Sequence, residues 1–180
     1  MEDIIIRKVK LQDIPAVVDI SISGWQNAYQ GIIDDNYLKS LDEERTKKIA
    51  KMEKNYDSSG FIVAEIDNQI VGFCRYIDNN SFSKQIEDAD CELSVMYVKP
   101  NMKRSGIGSK LFFYVLNEFY KKDKELMVIW CFKENQPAIN FYQKMGGTII
   151  SEKVKEHGGK ENKEICFGYN IKELIKRRKI

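Results

Sequence analysis

The sequence predicts an α/β protein, in the α+β sense, with about seven strands and four or more helices. Three observations carry this. Short apolar runs bounded by turn residues alternate with stretches of helical periodicity along all 180 residues. In two places consecutive strand-like runs flank a short turn, as in a hairpin. In a third, a strand passes through a turn into a glycine-rich helix start. No repeat, linker or low-complexity tract divides the chain, so one domain is expected over 1–180, large enough to bury a core without metal or disulfide staples.

The elements follow in order. Ile4 to Val9 reads as the first strand, and Asp13 to Ala28 as a helix with Ile14, Val17, Val18 and Ile20 to Ile22 at helical spacing. Asp35 to Lys54 reads as one highly charged second helix. Phe61 to Ile66 and Gln69 to Ile77 make a hairpin around Asp67-Asn68. Cys91 to Val98 is the fourth strand, and Gly106 to Lys122 a helix burying Leu111, Phe112, Val115, Leu116 and Phe119. Leu126 to Phe132 is a buried strand, Pro137 to Met145 a helix, and Gly147 to Val154 with Glu164 to Ile171 a closing hairpin.

Composition narrows the function classes. A net charge of +2 describes an ordinary surface and gives no case for nucleic acid. The basic run Lys172 to Lys179 contains Glu173, Leu174 and Ile175, and reads as a solvated terminal helix. No apolar run approaches the roughly 20 residues of a membrane span, and the N-terminus lacks a cleavable apolar region. Cys74, Cys91, Cys131 and Cys166 lie far apart without a C-x-x-C, which predicts reduced thiols in cytoplasm. His157 is the single histidine, so no metal is expected; standing before Gly158-Gly159, it is assigned to a hairpin turn.

The densest information lies between Val95 and Leu111. A helix start leaves its first N–H groups unpaired and partly positive, and glycines let a diphosphate approach the backbone. Ser105 to Ser109 would supply those donors, with Arg104 adding charge at the rim. A Walker A spacing is absent, and the dinucleotide fingerprint would need glycine where Leu111 stands. What remains is the [Q/R]-x-x-G-x-[G/A] pattern of coenzyme A binding, with Lys103 in the Gln/Arg slot.

Downstream, Asn135 to Gly146 reads N-x-x-A-x-x-F-Y-x-K-x-G after the apolar run 126–132, and upstream Ile6-Arg7-Lys8-Val9 leads into Asp13. With three separated motifs in this order, the chain resembles the GNAT superfamily of acetyl-CoA-dependent N-acetyltransferases over nearly its whole length. The resemblance implies a mixed, mostly antiparallel sheet flanked by helices, with the fourth and fifth strands splayed around the pantetheine arm. It implies acetyl-CoA as cosubstrate, bound by Lys103, Arg104, Ser105, Gly106, Ile107, Gly108 and Ser109 at the pyrophosphate. Backbone groups of Met96, Tyr97 and Val98 would meet the pantetheine amides and the charged carbonyl oxygen, Asn135 the pantetheine arm, and Tyr142 the coenzyme sulfur.

Acetyl transfer to an amine needs a base, because an ammonium of pKa ~10.4 is neutral in only about one molecule in 10³ at pH 7. Glu92 is the candidate: it shares a strand face with Ser94, Met96 and Val98, and its distance before Gly106 matches the acidic base of several family members. The competing reading is a strand-edge carboxylate facing water. Tyr142 is the candidate acid for the leaving thiolate, against a core aromatic; for Asn135 the competing reading is a helix N-cap. Trp25 to Ile33 resembles a W-x-x-A-Y-x-G-[IL] segment of one group of bacterial family members. Trp25 and Tyr29 share a helix face, as a wall for the acceptor or a packing stripe. Asp34, Asp35, Glu87, Asp88 and Asp90 would suit a cationic amine if they lined the cleft.

The function expected is direct transfer from acetyl-CoA to a primary amine, with a small-molecule acceptor and no covalent acyl-enzyme, since the cysteines fall outside the coenzyme motifs. The alternatives are acetylation of a protein N-terminus or ribosomal protein, and a non-catalytic acyl-CoA-binding regulatory module. Acetyl-CoA and the amine are the partners implied, without nucleic acid or membrane; a homodimer is compatible with this reading.

Overall fold

The computed structural model describes residues 3–81 and 83–178; Lys179, the end of the basic run, lies outside them. Among the described residues the strands are β1 (Ile5–Lys8), β2 (Phe61–Ile66), β3 (Gln69–Ile77), β4 (Cys91–Val98), β5 (Leu126–Phe132), β6 (Thr148–His157) and β7 (Lys160–Asn170). The helices are α1 (Ile14–Ala28), α2 (Asp35–Glu43), α3 (Arg45–Lys54), α4 (Ile107–Lys121), α5 (Gln136–Lys144) and α6 (Ile171–Arg178). The strands form one seven-stranded sheet in the order β1-β2-β3-β4-β5-β7-β6. It is mixed and mostly antiparallel, with β4 and β5 parallel.

The chain comprises two compact units: one runs to Arg75 and resumes over Val95–Leu111, the other holds Tyr76–Ser94 and the chain from Phe112 onward. In the first, β1 pairs with β2, and β2 with β3 through a turn where Asp67 and Asn68 both take positive φ, the backbone a tight hairpin needs. The β2–β3 register shifts between Ala64 and Glu65, so Val71 is an extra residue on β3. Such a bulge frees a carbonyl for another partner, and Val71 O accepts from Lys99 N at 2.8 Å. Helix α1 buries Ile14, Val17, Val18, Ile20 and Ile22. Asp13, just before it, is 5% exposed and takes two bonds from the Arg7 guanidinium, which also bonds Glu65.

The single helix expected over 35–54 is two helices, interrupted at Glu44. Between Leu41 and Ile49 the sequence has no apolar residue, so no continuous stripe fixes one axis. Asp34 Oδ1 caps α2 at Tyr37 N (3.0 Å), α2 buries Leu38 and Leu41, and Arg45 at the start of α3 pairs with Asp19 of α1.

In the second unit, the β4–β5 ladder consists of Cys91↔Met127 and Glu92↔Val128, whereas β5 and β7 pair along the whole of β5. The Asp90 carboxylate accepts from Glu125 N and Leu126 N and so fixes where β5 begins. On one sheet face Phe167 and Tyr169 meet α5 and α4 from Phe112 onward: Tyr142 lies against Phe167, and Phe112 against Tyr169 at a centroid distance of 5.1 Å. On the other face Val128 and Cys166 pack with Ala89 from the β3–β4 connection. The closing hairpin is longer than expected because an exposed ribbon accepts the charged residues 155–163 as strand, turning at Gly158 and Gly159. The terminal helix is docked rather than wholly solvated: α6 buries Ile171 and Ile175.

Candidate active site

The glycine-rich loop begins after β4 with a single 3-10 turn at Pro100–Met102. Arg104 and Gly106 then take φ of +67° and +85°, and α4 starts at Ile107. Alternating left-handed residues before a helix start turn successive N–H groups toward one side, as an anion nest does. A Cβ built on Gly106 meets nothing within 4 Å, so the backbone there is open to an approaching group. Glycine is required at this position by its φ, not by crowding. Ser105 Oγ donates to Met102 O at 2.6 Å and closes the turn, and Gly106 O accepts from Lys110 N, the first bond of α4. Residues 103 to 106 are exposed, whereas Gly108 and Ser109 are half-buried. Lys103 directs its ammonium to Asn27 Oδ1 on α1, so its side chain serves the loop's attachment to that helix.

The same unit holds the aromatic residues expected on the acceptor side. Trp25 and Tyr29 meet edge to face at 5.0 Å, with Tyr37 tilted against Trp25 at 6.3 Å. The Tyr29 and Tyr97 hydroxyls are 3.0 Å apart. Gly24 makes this possible, because a Cβ there would stand 2.5 Å from the Tyr97 ring. The sequence assigned Tyr97 through its backbone alone; the structure adds a side chain that ties β4 to α1. Met96 and Val98, on either side of it, are half-buried.

In the other unit Glu92 does not face water. It is 5% exposed, and its Oε2 accepts a short hydrogen bond from Ser83 Oγ on the β3–β4 connection. Ser83 Oγ in turn accepts from Trp130 Nε1 at 2.8 Å. Burial pushes the Glu92 carboxyl above its ordinary value, opposed by the Ser83 hydrogen bond and by the charges of Lys153 and Lys155. Sequence reasoning missed Ser83 and Trp130: the serine belongs to no motif, and the indole, two residues after Val128 on the same strand face, reads as core.

Tyr142 sits on α5, 8% exposed, with its ring packed on Phe141 and Phe167 at 5.5 and 5.7 Å. Its carbonyl accepts from Tyr169 Oη (3.0 Å) and Gly147 N, which fixes the last turn of α5 against β7. Burial drives the Tyr169 phenol far up, so that hydroxyl is a structural donor. Asn135 is buried and caps α5, its Oδ1 accepting from Ala138 N at 3.2 Å. The capping geometry is therefore real, and a ligand contact would fall to the amide nitrogen.

The acidic candidates divide. Asp34 and Asp90 are occupied by backbone N–H groups, whereas Asp35, Glu87 and Asp88 are exposed. His157, at the end of β6, bonds Glu164 at 2.9 Å and packs on Phe132. All four cysteines are free thiols, three buried and Cys131 half-buried, and burial raises each of them above its ordinary value. Among the described residues no group of three or more His, Cys, Asp or Glu is gathered as for a metal, and no helix is long and apolar enough to cross a membrane.

A glycine-rich loop follows β4 before α4 starts, and β4 carries the buried Glu92 in its short parallel ladder with β5. The family model for the acetyltransferase (GNAT) family matches residues 25–147. An uncharacterised N-acetyltransferase of Bacillus subtilis, YuaI, is 26% identical over 165 residues, 91% of each chain. The spermidine N(1)-acetyltransferase of Thermoplasma acidophilum is 25% identical over 78% of this chain and 86% of its own. Among solved structures, the PaiA N-acetyltransferase of Thermoplasma acidophilum in complex with coenzyme A covers 93% of this chain and 99% of its own, with a TM-score of 0.66 at 22% identity. The chain belongs to the GNAT acetyltransferase family and is by class an acyltransferase.

Proposed function

We propose that residues 1–180 form one N-acetyltransferase domain, cytoplasmic, that moves the acetyl group of acetyl-CoA to a small-molecule primary amine by direct attack. The observation that carries the reading is Glu92, a buried carboxylate on β4 whose proton affinity burial raises above that of an ordinary glutamate, the direction a general base requires. Glu92 takes the proton of the incoming amine, directly or through water. Backbone N–H groups of Met96 to Val98 hold the pantetheine amides and the carbonyl oxygen as it gains charge. The loop from Lys103 to Ser109 holds the pyrophosphate on the open backbone at Gly106 and the start of α4. Tyr142 protonates the leaving thiolate, and Trp25 and Tyr29 line the acceptor side. Buried thiols held in the protonated form support direct attack over a cysteine acyl-enzyme.

The spermidine acetyltransferase among the relatives supports a polyamine as the first acceptor to try. Primary amines, with spermidine beside a lysine-containing peptide, are screened for release of CoA thiol from acetyl-CoA. Turnover of small amines above peptide is the expected result; turnover of the peptide with every small amine inert would replace the small-molecule acceptor by a protein.

Two substitutions test the coenzyme residues. Tyr142→Phe keeps the ring packing and should lower turnover about tenfold or more while acetyl-CoA affinity stays within about threefold. Wild-type turnover would make Tyr142 a packing residue. Asn135→Ala should cost about 1 kcal/mol of stability through the lost cap, whereas Asn135→Asp keeps the cap oxygen and removes the amide donor. Weaker acetyl-CoA binding in Asn135→Asp at unchanged thermal stability would assign the amide to the pantetheine arm; unchanged binding would leave Asn135 as a cap only.

A further inference from the structure

We propose that Trp130 and Ser83 are positioning residues for the reaction, a two-step donor chain that ends on Glu92 Oε2 and keeps that carboxylate ionised and fixed for proton transfer. The inference rests on the reading of Glu92 as base but concerns residues outside every family motif in the sequence.

Hydrogen-bond inventory sets the direction. An indole N–H only donates, and a serine hydroxyl has one proton and two lone pairs. Trp130 Nε1 lies 2.8 Å from Ser83 Oγ, so Ser83 accepts there and has its proton for Glu92 Oε2. Both hydroxyl and carboxylate are removed from water, Ser83 at 0% and Glu92 at 5% exposure. In such surroundings a donor to the charged form has its largest influence, and successive donors polarise one another.

The neighbours explain why the chain is needed. Glu92 is desolvated on its sheet face. The charges that reach it are Lys153 and Lys155 on β6, which favour its anion, and Glu164 on β7, which opposes it. The Cys166 thiol on β7 is neutral, raised by burial. Lys153 is already committed: its ammonium stands 3.6 Å over the Trp130 ring and 3.4 Å from Glu164. The only hydrogen-bond donor to Glu92 among the described side chains is Ser83. The β3–β4 connection that carries it is anchored at Ala89 and Asp90.

The experiment titrates Glu92 directly, without an acceptor. In protein labelled with ¹³C at glutamate carboxyls, the Glu92 resonance is assigned by its loss in Glu92→Gln and followed against pH in wild type, Ser83→Ala and Trp130→Phe. Trp130→Phe keeps an aromatic ring on the strand and removes the N–H together with part of the indole's bulk. The midpoint should rise by about one pH unit in Ser83→Ala and by a smaller step in Trp130→Phe. An unmoved midpoint in both folded variants would overturn the proposal.

A second measurement separates this proposal from the base assignment. With spermidine as probe amine, or whichever amine the screen returns, the acidic limb of the pH–rate profile should move with the titration midpoint. A moved midpoint with an unmoved limb would remove Glu92 as base and leave the Trp130–Ser83–Glu92 chain standing as a structural one, overturning its role in the reaction. Should Ser83→Ala fail to fold, Trp130→Phe alone decides by the same midpoint.

Discussion

Glu92→Gln should lower turnover near pH 7 by about 10²-fold or more, because it keeps the side chain's shape and its hydrogen bond from Ser83 and removes only the basicity. Activity should recover as pH rises toward the amine's own pKa, where deprotonation no longer needs the enzyme. The same substitution carries a stability signature. Burial raises the Glu92 carboxyl, against the opposing Ser83 bond, so the folded state binds its proton more tightly than the unfolded chain. Stability therefore falls as pH rises from the ordinary glutamate range through the raised value. Glu92→Gln has no such proton to lose: it should melt at higher temperature than wild type at pH 8, with the gain shrinking toward pH 4. Calorimetric scans across that range check the sign, and a pH–rate profile with the wild-type acidic limb in Glu92→Gln would rule Glu92 out as base.

Acetyl-CoA affinity should fall at least tenfold, about 1.4 kcal/mol, in Gly106→Val. The structure changes the reason expected from sequence. No atom stands within 4 Å of a Cβ at Gly106, so the free loop has room for a side chain, but φ of +85° is a conformation a β-branched residue resists. The variant loop should relax out of the arrangement that opens the backbone at the helix start, and the side chain should occupy the approach proposed for the diphosphate. Gly108→Val, within the first turn of α4, tests the second effect with little of the first. Lys103→Ala should matter less than either, since that ammonium is engaged by Asn27. Isothermal titration on folded variants decides: unchanged affinity in both glycine variants would end the pyrophosphate assignment.

Much of this architecture was legible in the sequence because periodicity and turn chemistry are local. The β2–β3 hairpin, β4 and β5 fall on the expected residues, with Asp67-Asn68 marking the turn. The interruption at Glu44 was hidden, because a run of charged helix formers has high helix propensity and only the absence of an apolar stripe betrays the break. Glycine motif, F-Y pair and strand carboxylate could be named from spacing. Their surroundings could not: whether Glu92 met water or Ser83 depends on how the β3–β4 connection folds over the sheet, a long-range event with no sequence period. Tyr97 against Gly24 is a similar case, as a close approach between residues far apart in the chain.

The four thiols occupy consecutive strands of the sheet, Cys74 on β3, Cys91 on β4, Cys131 on β5 and Cys166 on β7. A thiolate is the species that reacts with alkylating reagents, and each of these groups is held as thiol by burial. Native protein should therefore react slowly, the buried Cys74, Cys91 and Cys166 only when their own strands open and the half-buried Cys131 first. Mass-resolved alkylation then reads the sheet strand by strand, as four internal clocks. Bound acetyl-CoA should slow those on the strands it stabilises and leave the others running at their former rates.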